Sequence, residues 1–226
     1  MRALAINVAA NTNQPGFRGP IHEDGGFEYV PIPEAEPTRE RVPTYGDLEL
    51  DIDTPDDTPV HLDPTFAEYA CCDAYTYGDP HGVKARPISD LRAGDRLYFY
   101  ATLTSHGDHP DAWVTPDWGA YLVGEFTLAR DPLTEKPADG EFPWNAHLAR
   151  EEFDAAVLVE GSSESRLYDT AVPLSGERGI DANRVVTEYS DDSGKGPWWR
   201  RPLRFDDEGA SALREWVDRD AYPPVR

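Results

Sequence analysis

Ile88-Ser89-Asp90-Leu91-Arg92-Ala93-Gly94-Asp95-Arg96-Leu97-Tyr98-Phe99-Tyr100-Ala101-Thr102 is followed, past a polar loop at 104–117, by Ala120-Tyr121-Leu122-Val123-Gly124-Glu125-Phe126-Thr127-Leu128. A short helical turn ends at Gly94, and an aromatic, apolar run begins. Two such runs joined by a loop predict an antiparallel pair of strands. Working outward, 3–9 (ALAINVA) predicts a central strand and Phe27–Val30 a short one. Residues 65–72 and 146–153 predict short helices, and 155–160 another strand. Ala212, Leu213, Trp216 and Val217 fall at helical spacing, with Asp206, Asp207 or Ser211 as candidate caps. This order predicts an α+β fold: a mostly antiparallel, barrel-like sheet with a few flanking helices. The length, 226 residues, predicts a single domain over 1–226.

Composition narrows the class. Lys and Arg number 21 against 43 Asp and Glu, for a formal net charge of −22. Lys occurs only at Lys84, Lys136 and Lys195. Acids are spread from Glu23 to Asp220 rather than gathered in a tail. That pattern predicts adaptation to concentrated salt: near 1 M the Debye length is about 3 Å, so dense surface carboxylates repel one another little. The charge excludes an ordinary basic nucleic-acid binder, and any nucleic-acid partner must be held by stacking, hydrogen bonds and shape. No apolar run approaches the ~20 residues of a membrane span, and no signal-peptide pattern opens the chain. The expected compartment is the cytoplasm, with no membrane partner. The two cysteines, Cys71 and Cys72, are adjacent and match neither a CxxC redox motif nor a zinc spacing. Of the two, strand alternation predicts one buried.

Several ordered pieces carry a resemblance. They are Gly16-Phe17, Gly19-Pro20-Ile21, Asp24-Gly25, Pro31-Ile32-Pro33-Glu34, Thr44-Tyr45-Gly46-Asp47-Leu48, His61-Leu62-Asp63-Pro64 and Gly94-Asp95-Arg96-Leu97-Tyr98-Phe99-Tyr100. Trp144-Asn145-Ala146-His147-Leu148 and Leu167-Tyr168-Asp169 continue the order. The set resembles the nucleotide-modification-associated domain family, type 3, over roughly residues 1–175. On that reading 1–175 is a family-like core containing a Pro-rich arm at 31–60, and 176–226 is an extension. The resemblance implies a role in modification of nucleic-acid bases, with a nucleotide or nucleic acid and a modification enzyme as partners, and it names no reaction or cofactor. Family members often carry an acid after Gly-Phe, where this chain has Arg18. Residues 91–128 are also similar to PUA-like modules (the EVE, ASCH and YTH domains), which implies a barrel that holds a base in an aromatic pocket.

Candidate chemistry falls at few places. His61 and Asp63, two apart in an extended segment, face one side and could share a metal, a water or a substrate hydrogen bond. The alternative is that Asp63 caps the helix predicted at 65–72. Trp144, Asn145 and His147 combine a stacking face with edge-reading groups; the alternative is a buried Trp with a satisfied His at a helix start. Tyr98 and Tyr100 share a strand face and are candidate pocket walls, while Phe99 on the other face belongs to the core. Lys195, Trp198, Arg200 and Arg201 lie in a stretch with four basic residues and no acid, suited to phosphate contact with base stacking. There the alternative is a Trp plugging the core and Arg side chains pairing with acids. His106, Asp108, His109 and Asp111 read as a solvated acidic loop. No spacing matches an established metal site, so none is assigned. Recognition of a nucleotide or base is therefore the leading function, with His61, Asp63, His147 and Arg18 as the polar lining. Its rivals are an enzyme using a His61/Asp63 acid–base pair and an interaction subunit of a modification system.

Overall fold

A computed structural model describes residues 1–108 and 110–224. In chain order the elements are β1 (Ala3–Asn7), β2 (Pro20–Ile21), β3 (Ile32–Pro33), β4 (Val60–His61), β5 (Thr76–Asp79), α1 (Gly82–Ser89), β6 (Arg96–Ser105) and β7 (Trp118–Thr127). There follow α2 (Ala146–Ala149), β8 (Val157–Glu160), β9 (Arg166–Pro173), α3 (Arg184–Tyr189), β10 (Leu203–Phe205) and α4 (Asp207–Val217). Contacts divide the chain into two interleaved units. The first takes Met1–Tyr29, Arg96–Glu125 and Tyr168–Arg226; the second takes Val30–Asp95 and Phe126–Leu167.

The main sheet runs β10-β1-β6-β7-β9, with β2 also paired to β6. Asp95 lies opposite Leu128 at one end of the β6–β7 pair, and Ser105 N–H donates to Asp117 C=O at the other. The quoted runs therefore form the expected antiparallel pair. The rest of the sheet corrects the expectation. β1 runs parallel to β6, with Leu4 beside Leu97 and Ile6 beside Phe99, and β2 is also parallel to β6. The sheet is mixed, and no closed barrel forms among the described residues. The physical reason is legible afterwards. Seven consecutive residues of β6 are buried, so the strand reads as a continuous apolar run covered on both faces, the signature of parallel pairing. Alternation alone carries no strand direction.

In the first unit, Tyr98 and Tyr100 of β6 join Trp198, Leu203, Phe205 and Leu213 in one apolar cluster. Helix α4 supplies Leu213. Asp206 caps it by accepting from Gly209 N–H, and Asp207 and Glu208 complement the dipole of its first turn. Gly209 is needed there because a Cβ would stand 2.2 Å from the Tyr189 carbonyl oxygen.

The second unit is built from two short pairs, β3–β4 and β5–β8, both antiparallel. A small apolar cluster of Phe142, Ala155 and Leu158 packs beside them. Two local expectations fail. Residues 65–72 form turns because Thr65 N–H donates to Thr76 C=O, which holds that backbone extended at its start. Phe27 makes a single bridge to Ile21 rather than a strand. No helix of the described residues is long and apolar enough to cross a membrane.

Candidate functional site

The second unit gathers polar side chains in its interior. β3–β4 pairing sets Ile32 opposite His61 and so brings Glu34 to the ring, with His61 Nδ1 2.8 Å from Glu34 Oε2. Two residues on, Asp63 accepts the Gly78 N–H of β5 through both carboxylate oxygens at 3.0 Å. Residues 65–72 being turns, Asp63 caps no helix there. Asn145 is the N-cap of α2 and accepts the His147 N–H. The same side chain donates to Asp63 Oδ1 at 2.9 Å and to Thr76 Oγ1 at 3.1 Å. One fully buried amide thus starts the helix and fixes the carboxylate. His147, the second residue of α2, points Nε2 at Asp63 Oδ2, 3.4 Å away, and Nδ1 at Asp154 Oδ1, 2.7 Å away. The His61 and His147 rings meet edge to face at 4.7 Å. One ligand atom each of His61, Asp63 and His147 lie within 4.8 Å of one another. Gly78 makes the close fit possible, since a Cβ there would meet His147 Cδ2 at 2.5 Å.

Arg150 ties the outer carboxylates. It donates to Glu34 Oε1 at 2.8 Å and to Asp154 Oδ2 at 2.6 Å. Burial alone would raise the Glu34 pKa, but hydrogen bonds from His61 and Arg150 outweigh it and bring it to about 2. Burial would likewise lower the His147 pKa, yet Asp63 and Asp154 together hold it above its ordinary value. Asp154 is held below its ordinary value despite burial, by His147 and Arg150. Lys84 of α1 is pulled down by burial, against the opposing charges of Asp79 and Asp63. It stands 3.9 Å from Asp79. A buried group of this kind is expensive unless it is satisfied, and here nearly every atom of the cluster has a partner in the same unit.

Comparison with known families is decisive on lineage: the pattern of nucleotide modification associated domain 3 matches residues 2–215. The chain belongs to that family. Membership associates it with nucleotide modification. No curated protein matches, and no solved structure does. The match extends past residue 175, so the stretch around Lys195–Arg204 lies within the family domain and not in an appended segment.

Within the nucleotide modification associated domain, the sequence candidates separate. His61, Asp63, Asn145 and His147 converge in the second unit. Trp144 belongs to that unit too; its indole donates to Glu40 and it borders a cleft of about 30 Å³ beside Cys71 and Cys72, room for about one water. Arg18, Tyr98, Tyr100, Lys195, Trp198, Arg200 and Arg201 belong to the first unit. Tyr98 and Tyr100 are fully buried in its apolar cluster, and Tyr100 donates to the Arg201 carbonyl at 2.7 Å. Trp198 is buried, donating to the Ile180 carbonyl, and Arg201 pairs with Asp192 at 3.1 Å. Lys195 and Arg200 are exposed. Arg18 lies over the Trp118 ring at 4.3 Å, its pKa lowered by burial and by the like charge of Arg200. Trp118 in turn meets Trp199 edge to face. His106, Asp108 and Asp111 are exposed, and His109 lies outside the described residues. Cys71 is exposed and Cys72 partly buried, both as free thiols. Burial, then Cys71, pushes the Cys72 thiol up, away from a nucleophile's range.

Sequence reasoning missed Glu34, Asp79, Lys84, Arg150 and Asp154 as parts of the cluster. Signals existed for two of them. Glu34 closes the Pro31-Ile32-Pro33-Glu34 motif, and Lys84 is one of only three lysines in a chain that otherwise uses Arg.

Proposed function

We propose that the chain is an enzyme acting on a nucleotide or a nucleic-acid base, with His61, Asp63 and His147 as its reactive centre. The carrying observation is the convergence of two imidazoles and a carboxylate, all buried, each braced from behind by a further charged or amide group. A core gains nothing from such groups relative to apolar side chains of similar volume, and strained or polar departures of this kind concentrate at working sites. The ring nitrogens that face inward suit activation of a water or of a substrate hydroxyl or amine.

The test is incubation of the full chain, in concentrated KCl, with mononucleotides and with single- and double-stranded oligonucleotides, followed by digestion and nucleoside mass spectrometry. A new nucleoside mass or a released base is expected, lost in His61→Ala and in His147→Ala proteins that remain folded by circular dichroism. Equal turnover in both variants overturns the assignment.

A second reading, recognition without turnover, is favoured by one feature of the first unit. Arg18 and Arg200 share a neighbourhood with the Trp118–Trp199 pair, which offers phosphate contact beside stacking faces. Binding abolished by an Arg18→Ala/Arg200→Ala double variant, with no product from any substrate, selects it.

A further inference from the structure

We propose that His61, Asp63 and His147 hold a divalent first-row transition-metal ion, through Nε2 of each imidazole and a carboxylate oxygen of Asp63. The proposal deepens the reading of this cluster as the reactive centre and rests on it only for the chemistry the ion performs.

Three observations carry it. The first is tautomer. Glu34 can only accept, and its oxygen lies 2.8 Å from His61 Nδ1, a nitrogen that Arg150 Nη2 also approaches at 3.1 Å. Arg150 has Glu34 and Asp154 to donate to instead, so the shorter contact to Glu34 puts the hydrogen on Nδ1 and leaves Nε2 its lone pair. His147 repeats the arrangement, with Nδ1 2.7 Å from Asp154 Oδ1. A carboxylate behind each imidazole is how metal-binding histidines are oriented and made more basic. Two independent instances face each other here.

The second is reach. Ligand atoms about 2.1 Å from a tetrahedral ion stand about 3.4 Å apart. His147 Nε2 and Asp63 Oδ2 are 3.4 Å apart, and all three ligand atoms lie within 4.8 Å. Small side-chain rotations close the set. Asp63 Oδ1 accepts from Gly78 and Asn145, and Oδ2 shares the Gly78 N–H. Oδ2 is the oxygen that faces the imidazole, and a carboxylate oxygen offers more than one lone pair, so it is the one placed to reach the ion.

The third is charge. Glu34, Asp63, Asp79 and Asp154 are opposed by Arg150 and Lys84. With both imidazoles neutral, as ligands must be, four carboxylates against two cations leave a deficit that a divalent ion fills. Two imidazoles with one carboxylate suit zinc or ferrous iron rather than magnesium or calcium, which take all-oxygen sites. Three protein ligands also leave a position for water or a substrate oxygen. On binding, any proton at His147 Nε2 leaves to solvent, and the ion takes its place between the imidazole and Asp63.

The experiment uses the full chain, stripped with a chelator and titrated with Co²⁺ in concentrated KCl and excess Mg²⁺, which silence the acidic surface. One equivalent is expected to bind, with the visible absorption of low-symmetry cobalt, and Zn²⁺ is expected to displace it. His61→Ala and His147→Ala are expected to lose the absorption. Should either fail to fold, Glu34→Gln and Asp154→Asn keep every ligand and are expected to weaken cobalt binding about 10–100-fold. No stoichiometric uptake, or uptake indifferent to all four variants, overturns the site. Turnover of a nucleotide by metal-stripped protein overturns the ion's part in the chemistry while leaving the enzyme reading intact. Cobalt bound as described with no turnover of any substrate supports the site and overturns the enzyme reading.

Discussion

The two units fill their interiors differently. In the first, the large buried side chains are Trp198, Tyr98, Tyr100 and Tyr121 with aliphatic neighbours, and the buried Glu125 carboxylate pairs with Arg96 at 2.6 Å. In the second, His61, Asn145, His147, Thr65 and Thr76 are buried together and bonded, through Glu34, Arg150, Asp154 and Asp63, into one network. An apolar interior is stabilising through area and packing. A polar network returns little net energy after desolvation and fails sharply when one member goes. The difference teaches where to look for chemistry: one unit has an interior of packed aromatic and aliphatic side chains, the other an interior of bonded polar ones.

That contrast can be broken in graded ways. Trp198→Ala removes the largest fully buried side chain and is expected to cost about 3–5 kcal/mol in denaturant titration, with cobalt stoichiometry of the folded protein unchanged. Acid probes the other interior. Glu34 titrates near 2 when folded against an ordinary value of 4.5. A depressed carboxyl contributes stability above its unfolded pKa and loses it as pH falls through the folded one. About 3 kcal/mol is therefore expected to disappear between pH 4.5 and 2, and Glu34→Gln is expected to flatten that part of the stability–pH curve. Asn145→Ala removes a helix cap and leaves Asp63 and Thr76 short of a donor; about 2 kcal/mol is expected in thermal melts, together with weaker cobalt binding. Arg200→Ala sits at the small end. It is exposed, so stability is expected to move by less than about 0.5 kcal/mol, and loss of the like charge beside Arg18 is expected to make any change stabilising. A drop above 1 kcal/mol would show that Arg200 has a structural partner.

Much of this was legible in the residues, and the gaps have physical causes. The β6–β7 pair, the capped C-terminal helix and the first strand follow from local pattern. Strand direction does not, because β1 and β6 meet across the whole Val30–Asp95 segment of the chain. Helix was expected at 65–72 from composition, but the ladder bond between Thr65 and Thr76 overrode it. His61 and Asp63 announced themselves through two-residue spacing, and His147 through its Trp-Asn neighbours. Their braces did not. Glu34, Arg150 and Asp154 look like ordinary surface charges in a chain this acidic, and only tertiary structure shows Glu34 and Arg150 turned inward and Asp154 bonded to Arg150 and His147 from the rim. Tyr98 and Tyr100 illustrate the opposite confusion: aromatic residues on a strand read equally well as pocket wall or core, and the fold places both in the core.

The pairing of β1 has a consequence for how the protein is made. β1 sits between β6 and β10, and β10 is made long after it: Ala3 pairs with Phe205 and Ala5 with Leu203. Beside that ladder, the amino terminus meets Asp207 at 2.9 Å. A chain emerging from the ribosome therefore carries β1 with one edge bare until β10 has been translated. Bare edges recruit other strands. A chain cut short before residue 203 lacks that partner, so the open edge of β1 is the place where a truncated product is expected to recruit a foreign strand.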